Sequence, residues 1–551
     1  MSSSSIQQKQ RYNFIVHVWK SSINPLLHNY FITIILSMAA FLGFISIIWK
    51  FQSFNPFQNP NFPPFQNPNF TPIPWISAEF GPNYTSNLLT KWSSNQCNNS
   101  TTVDIKIPSL DNQNPNQIEL STGHIHEFVF QTLDDSGEPN PNCSSGDYFE
   151  TDLSGQKWKS HPPVKDLGNG NYSFALQVHP DFAGDYNFTI ILLFRNYDGL
   201  KIFPKRFAFD KLLRSISIKF RKSESPIPMK KLQHCKKSDY SKDIWSGRWT
   251  RHGRNDSCPI GDDGRFRCLE LDFRCLRPWC RGPLGRLESD GWAYSAHCSF
   301  KLFTSDEAWD AVAGRWIFWW GDSNHCDTIR NMFDFIFDVP GLVVPRRFDA
   351  NVTNWRNSSQ VVRFTSIFNG HPNETGHWQG LNSMYNADYL ELLKGYFTGD
   401  VIPDAVIMNS GLHDGIYWPN IRRFAGAAEY TAAFWAGVIE DVENRGLRRP
   451  EIIYRTTIAT GGHARRLPFN PNKMEAFNGV MLDKFRKYGL VGKIVDDFDI
   501  TYPWHYDNRG SDGIHYGRAP AKRRWIDGKI GHYYFVDVML GHVLLNALAS
   551  G

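Results

Sequence analysis

Residues 315–323 read RWIFWWGDS, and this stretch decides the fold of the second half of the chain. The apolar run up to Trp320 has the length of a buried strand, and it ends abruptly in Gly321-Asp322-Ser323. Residues 324–337 continue with apolar side chains at helical spacing. A buried strand, a tight glycine turn and a helix expose the serine at the tip of the turn. The pattern therefore predicts that Ser323 is a nucleophile.

A serine needs a general base, and a candidate lies near the end of the chain. Residues 511–516 read SDGIHY, so one loop can present both Asp512 and His515. Asp512 would orient the imidazole, and His515 would take the Ser323 proton. As alternatives, Ser323 could be a turn serine that caps the helix, and His515 a loop histidine without a catalytic role. The joint pattern favours a triad of Ser323, His515 and Asp512.

Strand-like runs alternate with helical stretches through the rest of this half. The strand-like runs are 405–408, 451–454 and 493–495, and the helical stretches are 425–444 and 472–488. This alternation predicts a parallel sheet with crossover helices. Active residues of such sheets lie at the carboxyl ends of the strands, which is where Ser323 falls.

These motifs resemble those of the SGNH (GDSL-type) hydrolase superfamily. Within it, residues 242–551 look most like the PC-esterase group, which includes the plant trichome-birefringence-like polysaccharide O-acetyltransferases and the animal NXPE proteins. The matching pieces are WSGRW at 245–249 beside a cysteine cluster, GDS at 321–323, NSG at 409–411 and DGIH at 512–515. The resemblance implies a three-layer α/β/α fold with a parallel sheet, and a triad of Ser323, Asp512 and His515.

The oxyanion hole departs from the family pattern. SGNH enzymes usually carry G-x-N-D in the third block, whereas the nearest match here is Gly411-Leu412-His413-Asp414. Either His413 replaces the asparagine donor, or Asn409 donates instead, as the N-x-G version of the trichome-birefringence-like group suggests. Gly370 is the candidate for the second-block glycine, placed only by its order along the chain. The candidates for oxyanion or substrate contacts are therefore Gly370, Asn409, Gly411 and His413.

The first half of the chain has a different texture. From about residue 77 to 210, short alternating strands separated by turn residues predict an all-β sandwich. The clearest stretch is 166–190, DLGNGNYSFALQVHPDFAGDYNFTI, in which Tyr172, Phe174 and Leu176 share one strand face. It resembles the last strands of a filamin-type immunoglobulin-like repeat, and NXPE proteins also place such a module before the esterase-like domain. We interpret it as a spacer or recognition module.

An uncharged segment near the N-terminus predicts a membrane anchor. Residues 30–49 are enough to cross ~30 Å of hydrocarbon as a helix. Basic residues ahead of it place residues 1–29 in the cytosol, although a cleaved signal peptide is the alternative. Residues 50–76 form a stem rich in Pro, Asn and Phe. We predict a single-pass type II protein of the Golgi membrane with a lumenal sandwich at 77–225 and a catalytic domain at 240–551.

Sequons and cysteines agree with a lumenal body. The candidate glycosylation sites are Asn83, Asn171, Asn187, Asn255, Asn351, Asn357 and Asn373. The nine cysteines contain no C-x2-C pair, which favours disulfides over a zinc site, and no metal is predicted. A Cys97–Cys143 bridge is plausible, and Cys326 is interpreted as a buried thiol rather than a catalyst.

Charge and aromatic content narrow the function. The net charge is only +5 and no long basic run occurs, which argues against nucleic-acid binding. Aromatic residues make up 15% of the chain, and aromatic rings often stack on sugars. We predict a lumenal O-acetyltransferase of glycan hydroxyls with no bound cofactor, using acetyl-CoA or another acetyl ester as donor. The alternatives are an acetylesterase with the same mechanism and an inactive glycan-binding or scaffold protein.

Overall fold

A computed structural model of the chain describes most of the residues from Ile73 onward, which include the last four of the predicted stem. The described residues are 73–93, 101–111, 118–139, 146–223, 229–251, 292–339, 341–369, 379–505, 514–516 and 534–550. The chain divides into two compact units, Met1–Phe70 and Thr71–Gly551, and every described residue belongs to the second. The predicted span at 30–49 lies outside the described residues. Within the described ranges, no helix combines the length and apolar character needed to cross a membrane.

Two sheets form the first half of the second unit. Their strands are β1 (Asp104–Lys106), β2 (Ile118–Ser121), β3 (His126–Leu133), β4 (Tyr148–Gly155), β5 (Trp158–Ser160), β6 (Lys165–Gly168), β7 (Asn171–Leu176), β8 (Gly184–Phe194), β9 (Lys211–Arg221), β10 (Arg248–Arg251) and β11 (Trp292–Ser295). One sheet has the order β1-β3-β7-β6, and the other has the order β11-β10-β5-β4-β8-β9-β2.

The two sheets pack face to face through alternating apolar residues. Along β7 every second residue is buried, which confirms the predicted face of Tyr172, Phe174 and Leu176. The Phe130 ring on β3 stacks on Tyr172 at 5.4 Å between centroids, and it meets Phe149 of the opposite sheet edge-on at 5.0 Å. Period-2 burial against a facing sheet is the signature of a sandwich. The immunoglobulin-like identity of this sandwich stays a prediction.

The larger sheet also contains two strands, β10 and β11, from the segment 240–551 that was predicted to be the catalytic domain. β10 contains the end of the WSGRW stretch and pairs with β5 of the sandwich, and β11 pairs with β10. Trp245 and Gly247 donate backbone N–H groups to the carboxylates of Asp496 and Asp499, at 2.9 and 2.7 Å. This stretch therefore joins the sandwich sheet to the α/β part of the molecule.

A third sheet forms the core of the α/β part. Its strands are β12 (Trp316–Gly321), β13 (Arg347–Asn354), β14 (Asn357–Phe368), β15 (Ala405–Met408), β16 (Glu451–Arg455) and β17 (Lys493–Val495). They lie in the order β13-β14-β12-β15-β16-β17, and all neighbours are parallel except the β13–β14 hairpin. The next two strands in sequence, β13 and β14, lie on one side of β12, and the last three, β15 to β17, lie on the other side. The carboxyl end of β12 is thus the point where ligands bind in open parallel sheets.

Helices cover both faces of this sheet. The helices of the described residues are α1 (Tyr84–Ser93), α2 (Pro108–Asp111), α3 (Ser305–Val312), α4 (Ser323–Asn331), α5 (Ala387–Gly395), α6 (Leu412–Tyr417), α7 (Ile421–Asn444), α8 (Pro471–Lys487), α9 (Asp497–Thr501) and α10 (Tyr534–Ala549). Of these, α2 lies against β3 of the sandwich and not on this sheet. Trp320 of β12 packs on Trp435 of α7, whereas the adjacent Trp319 packs on His325 of α4. Since neighbouring residues of a strand face opposite ways, the α/β part is a three-layer α/β/α arrangement.

Candidate active site

Ser323 lies where β12 passes directly into α4. Asp322 has extended backbone and caps the helix, because its side-chain oxygen accepts the Asn324 N–H at 2.9 Å. A side chain at position 321 would place its Cβ only 2.3 Å from Nδ1 of His325, which is why the turn uses glycine there. The strand and the buried His325 ring together fix the turn. The first residue of the helix is therefore the serine.

Ser323 and His515 form a direct contact across 192 residues of sequence. Oγ of Ser323 lies 2.7 Å from Nε2 of His515. The histidine is 7% exposed, and the neighbouring Tyr516 hydroxyl anchors the segment by donating to the Ala459 carbonyl at 2.9 Å. This is the geometry that a serine and its general base require. Asp512 lies outside the described residues, so its predicted contact with His515 stays a prediction.

The ends of the neighbouring strands meet beside Ser323. The Asn369 N–H, just after β14, donates to the Gly321 carbonyl at 2.8 Å, and the Asn409 N–H, just after β15, donates to the Trp320 carbonyl at 2.9 Å. The Asn369 side-chain amide then donates to the Asn409 carbonyl and to Oγ of Ser410, at 3.2 and 2.8 Å. These contacts connect the turn that carries Ser323 to the third-block residues.

The structure gives Asn409 and Gly411 packing roles. The Asn409 side-chain amide donates to the Arg455 carbonyl at 3.0 Å and to Oγ1 of Thr457 at 3.1 Å. Both of its amide protons are therefore engaged away from an oxyanion. A Cβ at position 411 would lie 2.2 Å from Oγ1 of Thr457, so the glycine lets the third-block turn approach the end of β16. Gly370 lies outside the described residues.

His413 is the third-block candidate that sits over the strand ends. Its half-buried ring packs edge-on against Phe368, with 5.0 Å between centroids. Phe368 is the last residue of β14 and pairs in register with Gly321 of β12. His413 therefore lies beside the β12–α4 turn, whereas the Asn409 side chain points into the adjacent strand.

Asp414 is a buried residue of this edge that the sequence reasoning named only as part of the third block. Its carboxylate accepts from the Leu381 N–H and from the Trp418 indole, both at 2.7 Å, and from the Ser410 hydroxyl. Burial raises the pKa of Asp414 to about 7 against these hydrogen bonds, and the nearby Asp322 adds to the rise. Asp414 holds the third-block turn in place. In the sequence, only its place in the pattern Gly411-x-x-Asp414 indicated this residue.

Several polar atoms next to Ser323 are buried without a hydrogen-bond partner. Among the described residues these include Oδ2 of Asp322, Oδ1 of Asn369 and both ring nitrogens of His325. Buried polar atoms are normally paired, so a concentration of such atoms marks a region of unusual chemistry. Burial also lowers the pKa of His325, and the Arg455 charge lowers it further. Sequence alone could not place His325 behind the turn, because its orientation depends on the strand that it packs against.

Among the described cysteines, Cys326 is a half-buried free thiol and two others are bonded to each other. Burial raises the pKa of Cys326 to about 12, so this thiol is a poor nucleophile at neutral pH. Cys235 and Cys298 form a disulfide, which agrees, at this pair, with the prediction of disulfides. The other four cysteines of the cluster and the predicted Cys97–Cys143 bridge lie outside the described residues. The side chains of Asp239, His297 and Cys298 lie close enough to bind one metal ion together. The sulfur of Cys298 is bonded to Cys235, however, and is therefore not a thiolate ligand.

The predicted glycosylation sites fall into three groups. Asn83, Asn187, Asn351 and Asn357 are exposed, as an attached glycan requires. Asn171 is half-buried at the start of β7. Asn255 and Asn373 lie outside the described residues. Glycosylation stays a prediction at all of these positions.

No family model matches the chain, and no curated protein matches it. Among solved structures it is similar to LAE5, an α/β hydrolase from the metagenome of Lake Arreo, Spain, at 10% identity, covering 43% of this chain and 96% of that one, with a TM-score of 0.27. It is also similar to Axe2, an acetylxylan esterase from Geobacillus stearothermophilus, at 11% identity, 43% and 95% coverage and a TM-score of 0.24. At these TM-scores neither match assigns a fold or an activity to this chain.

Proposed function

We propose that the protein is a serine-dependent O-acyltransferase that moves an acetyl group to glycan hydroxyls. The observation that carries this proposal is the 2.7 Å contact between Oγ of Ser323 and Nε2 of His515 at the carboxyl end of β12. The triad includes Asp512 as the group that orients His515. The motif resemblance to SGNH and PC-esterase proteins supports acetyl as the transferred group and a glycan as the acceptor.

The first half of the reaction loads Ser323. Oγ attacks the carbonyl carbon of the acetyl donor while Nε2 of His515 takes the hydroxyl proton. The bond between that carbon and the donor's leaving group then breaks, and His515 gives the proton to the leaving group. The products are an acetyl-serine and the free leaving group, which is a thiol if the donor is acetyl-CoA.

The second half unloads Ser323. His515 takes the proton of a sugar hydroxyl, whose oxygen attacks the acetyl-serine carbonyl. The ester bond to Ser323 breaks, and His515 returns the proton to Oγ. If water occupies the acceptor position the same steps hydrolyse the acetyl-serine, and the protein is an esterase. Exclusion of water from the acceptor position decides between these outcomes.

Each step develops negative charge on the carbonyl oxygen, and we assign its stabilisation to the β12–α4 turn. The backbone N–H groups at the start of a helix lack intrahelical acceptors and carry partial positive charge. The Ser323 N–H is one of them, and Asp322 already accepts the N–H of Asn324. His413 is the side-chain donor that we place beside it, with Gly370 as the second-block contribution.

The proposed setting is the secretory pathway. The uncharged segment at 30–49, the stem and the sequons support a type II protein of the Golgi membrane whose body is lumenal. The Cys235–Cys298 disulfide is compatible with an oxidising compartment. We further propose that the sandwich is an immunoglobulin-like module that helps to recognise the acceptor.

Intact-mass spectrometry of the deglycosylated protein after exposure to an activated acetyl ester tests this proposal. We expect one added acetyl group on the wild type, or rapid ester turnover without a trapped adduct, and neither with Ser323→Ala. Ser93→Ala removes an exposed serine of α1 and serves as the matched control, which we expect to behave as wild type. Acetylation or turnover that survives in Ser323→Ala would contradict the proposal. Addition of oligosaccharides then measures transfer against hydrolysis.

A further inference from the structure

The loop between β8 and β9 carries basic and aromatic side chains on its surface. Residues 201–207 read KIFPKRF, and Phe203 and Phe207 are 63% and 42% exposed. An exposed apolar patch rimmed by charged groups marks a binding surface. We propose that residues 198–207, here called the basic-aromatic loop, form a subsite for an acidic glycan chain that continues from the candidate active site. The inference rests on the proposed function for the ligand being a glycan.

Each exposed ring of the loop has a cation beside it. The Lys201 ammonium lies 4.0 Å from the centroid of the Phe207 ring, and the Arg206 guanidinium lies 5.9 Å from that of Phe203. Both distances are within the reach of a cation–π contact. A pyranose ring packs its apolar face on an aromatic ring, and a uronic acid adds a carboxylate that a neighbouring cation can bind. The Phe203 ring with Arg206 therefore matches one acidic sugar unit, whereas the Lys201 ammonium beside Phe207 already lies 2.6 Å from the Asp198 carboxylate.

The surrounding surface has the same sign of charge. The side chains of Lys201, Lys205 and Arg206 are exposed, and the half-exposed Arg466 of the α/β part lies 3.5 Å from the carboxylate of Asp210, which follows the loop. The carboxylates in this area are already engaged with cations: Asp198 lies 2.6 Å from the Lys201 ammonium, and Asp210 accepts from Arg465. The cations outnumber the carboxylates, which gives charge complementarity to a polyanionic chain.

The position of the loop favours a glycan over a membrane surface. The buried Lys473 ammonium donates to the carbonyls of Lys201 and Gly415, at 2.7 and 3.1 Å. Gly415 lies in α6, two residues after His413. The Asn470 side chain also donates to the Gly199 carbonyl at 2.8 Å. The loop is thus fastened to α6, the helix that carries His413, and we place it on the route of an acceptor chain that extends from Ser323.

Hydrogen exchange read by mass spectrometry tests the inference on the full chain in nonionic detergent micelles. Ser323→Ala protein is used throughout, because binding does not need turnover. Polygalacturonate is the acidic probe, neutral xylan is the uncharged probe, and micelles doped with phosphatidylserine represent a membrane surface. We expect peptides of residues 198–207 to gain protection with polygalacturonate alone. No protection, equal protection with xylan, or protection only with phosphatidylserine would overturn the inference.

A charge-reversal pair measures the contribution of the loop to affinity. We expect K205E with R206E to weaken polygalacturonate binding roughly tenfold, since two attractive charges become repulsive. K230E with K231E makes the same change of net charge on exposed lysines elsewhere, and we expect a smaller loss than with the loop variant. Circular dichroism checks that both proteins fold. Equal losses in the two variants would show a nonspecific effect of net charge and overturn the subsite.

The outcome is separable from that of the proposed function. Absence of both the acetyl adduct and Ser323-dependent ester turnover, with intact loop protection, would refute the acyltransferase and leave the subsite standing. An intact adduct with no loop protection would refute the subsite alone.

Discussion

The buried polar groups at the junction of the sandwich with the α/β part differ from those around Ser323. At the junction, Glu150 of β4 accepts from Arg465 and contacts Nε2 of His505 at 2.8 Å, while Arg465 also donates to Asp210. Around Ser323, Oδ2 of Asp322 and both ring nitrogens of His325 are buried without partners. The charged groups of the junction are paired and stabilise the fold. At the active-site edge, buried polar atoms of two residues have no hydrogen-bond partner.

The pKa values of the two regions diverge for the same reason. Burial raises the pKa of Glu150, but the charges of Arg465 and His505 outweigh it and lower that pKa to about 2. No cation offsets the burial of Asp414, whose pKa rises to about 7. A buried carboxylate therefore stays ionised more readily where cations pair with it than where only neutral donors contact it.

The largest expected effect comes from breaking the active-site contact. His515→Gln keeps the volume of the side chain but removes the base that takes the Ser323 proton. We expect the rate of acetyl transfer or ester hydrolysis to fall roughly 10⁴-fold, with the melting temperature changed little. Steady-state kinetics beside calorimetry checks this. A loss of activity only in proportion to a loss of folded protein would contradict it.

A smaller effect, on stability and not on chemistry, is expected at the junction. Glu150→Gln removes the carboxylate that pairs with Arg465 and His505, and we expect a loss of about 3 kcal/mol in the free energy of unfolding at neutral pH. The folded-state pKa lies below the ordinary value of 4.5, so this contribution is present above pH 4.5 and disappears as the pH falls towards 2. Urea unfolding of both proteins as a function of pH should show their stabilities converging in acid.

An exposed ion pair supplies the control for that experiment. Glu119 pairs with Arg221 at the sandwich edge, where both side chains are about half exposed. We expect Glu119→Gln to leave the urea midpoint nearly unchanged at every pH, because exposed pairs contribute little. A difference between wild type and Glu150→Gln that persists in acid would mean that the junction depends on packing rather than on charge.

The comparison also shows how far sequence reasoning reaches. The strand-turn-helix pattern placed Ser323 correctly at the end of β12, since a local pattern determines a local geometry. The contact with His515 was predicted from D-x-x-H, although 192 residues separate the two side chains. The local pattern of apolar and polar residues also predicted β15, β16, β17 and most of α7 and α8. These features depend on neighbours in sequence or on a motif that carries its own chemistry.

Features that depend on distant packing were not predictable. The Asn409 amide is engaged by groups at the end of β16, which only the sheet order brings alongside. The pairing of β10 with β5 joins the WSGRW stretch to the sandwich sheet, and no periodicity in the sequence indicates that partner. At the junction, Glu150 contacts Arg465 and His505, which both lie more than 300 positions away in the sequence. Sequence spacing carries no signal for such contacts.

A further effect, smaller than that of Glu150→Gln, is expected from filling a glycine that the active-site turn requires, compared with filling a glycine in an open helix position. In Gly321→Ala the new Cβ would lie 2.3 Å from Nδ1 of the buried His325 ring, so we expect a loss of ~1–3 kcal/mol in stability and a displaced Ser323 with reduced turnover. Gly426→Ala in α7 meets nothing within 4 Å, so we expect a gain of ~0.5–1 kcal/mol with unchanged turnover. Chemical denaturation and kinetics measure both variants. In the Gly321→Ala background, His325→Ala removes the ring that the new Cβ would contact. We therefore expect the double variant to recover part of the turnover. If turnover does not recover, the glycine serves the backbone of the turn and not the packing of His325.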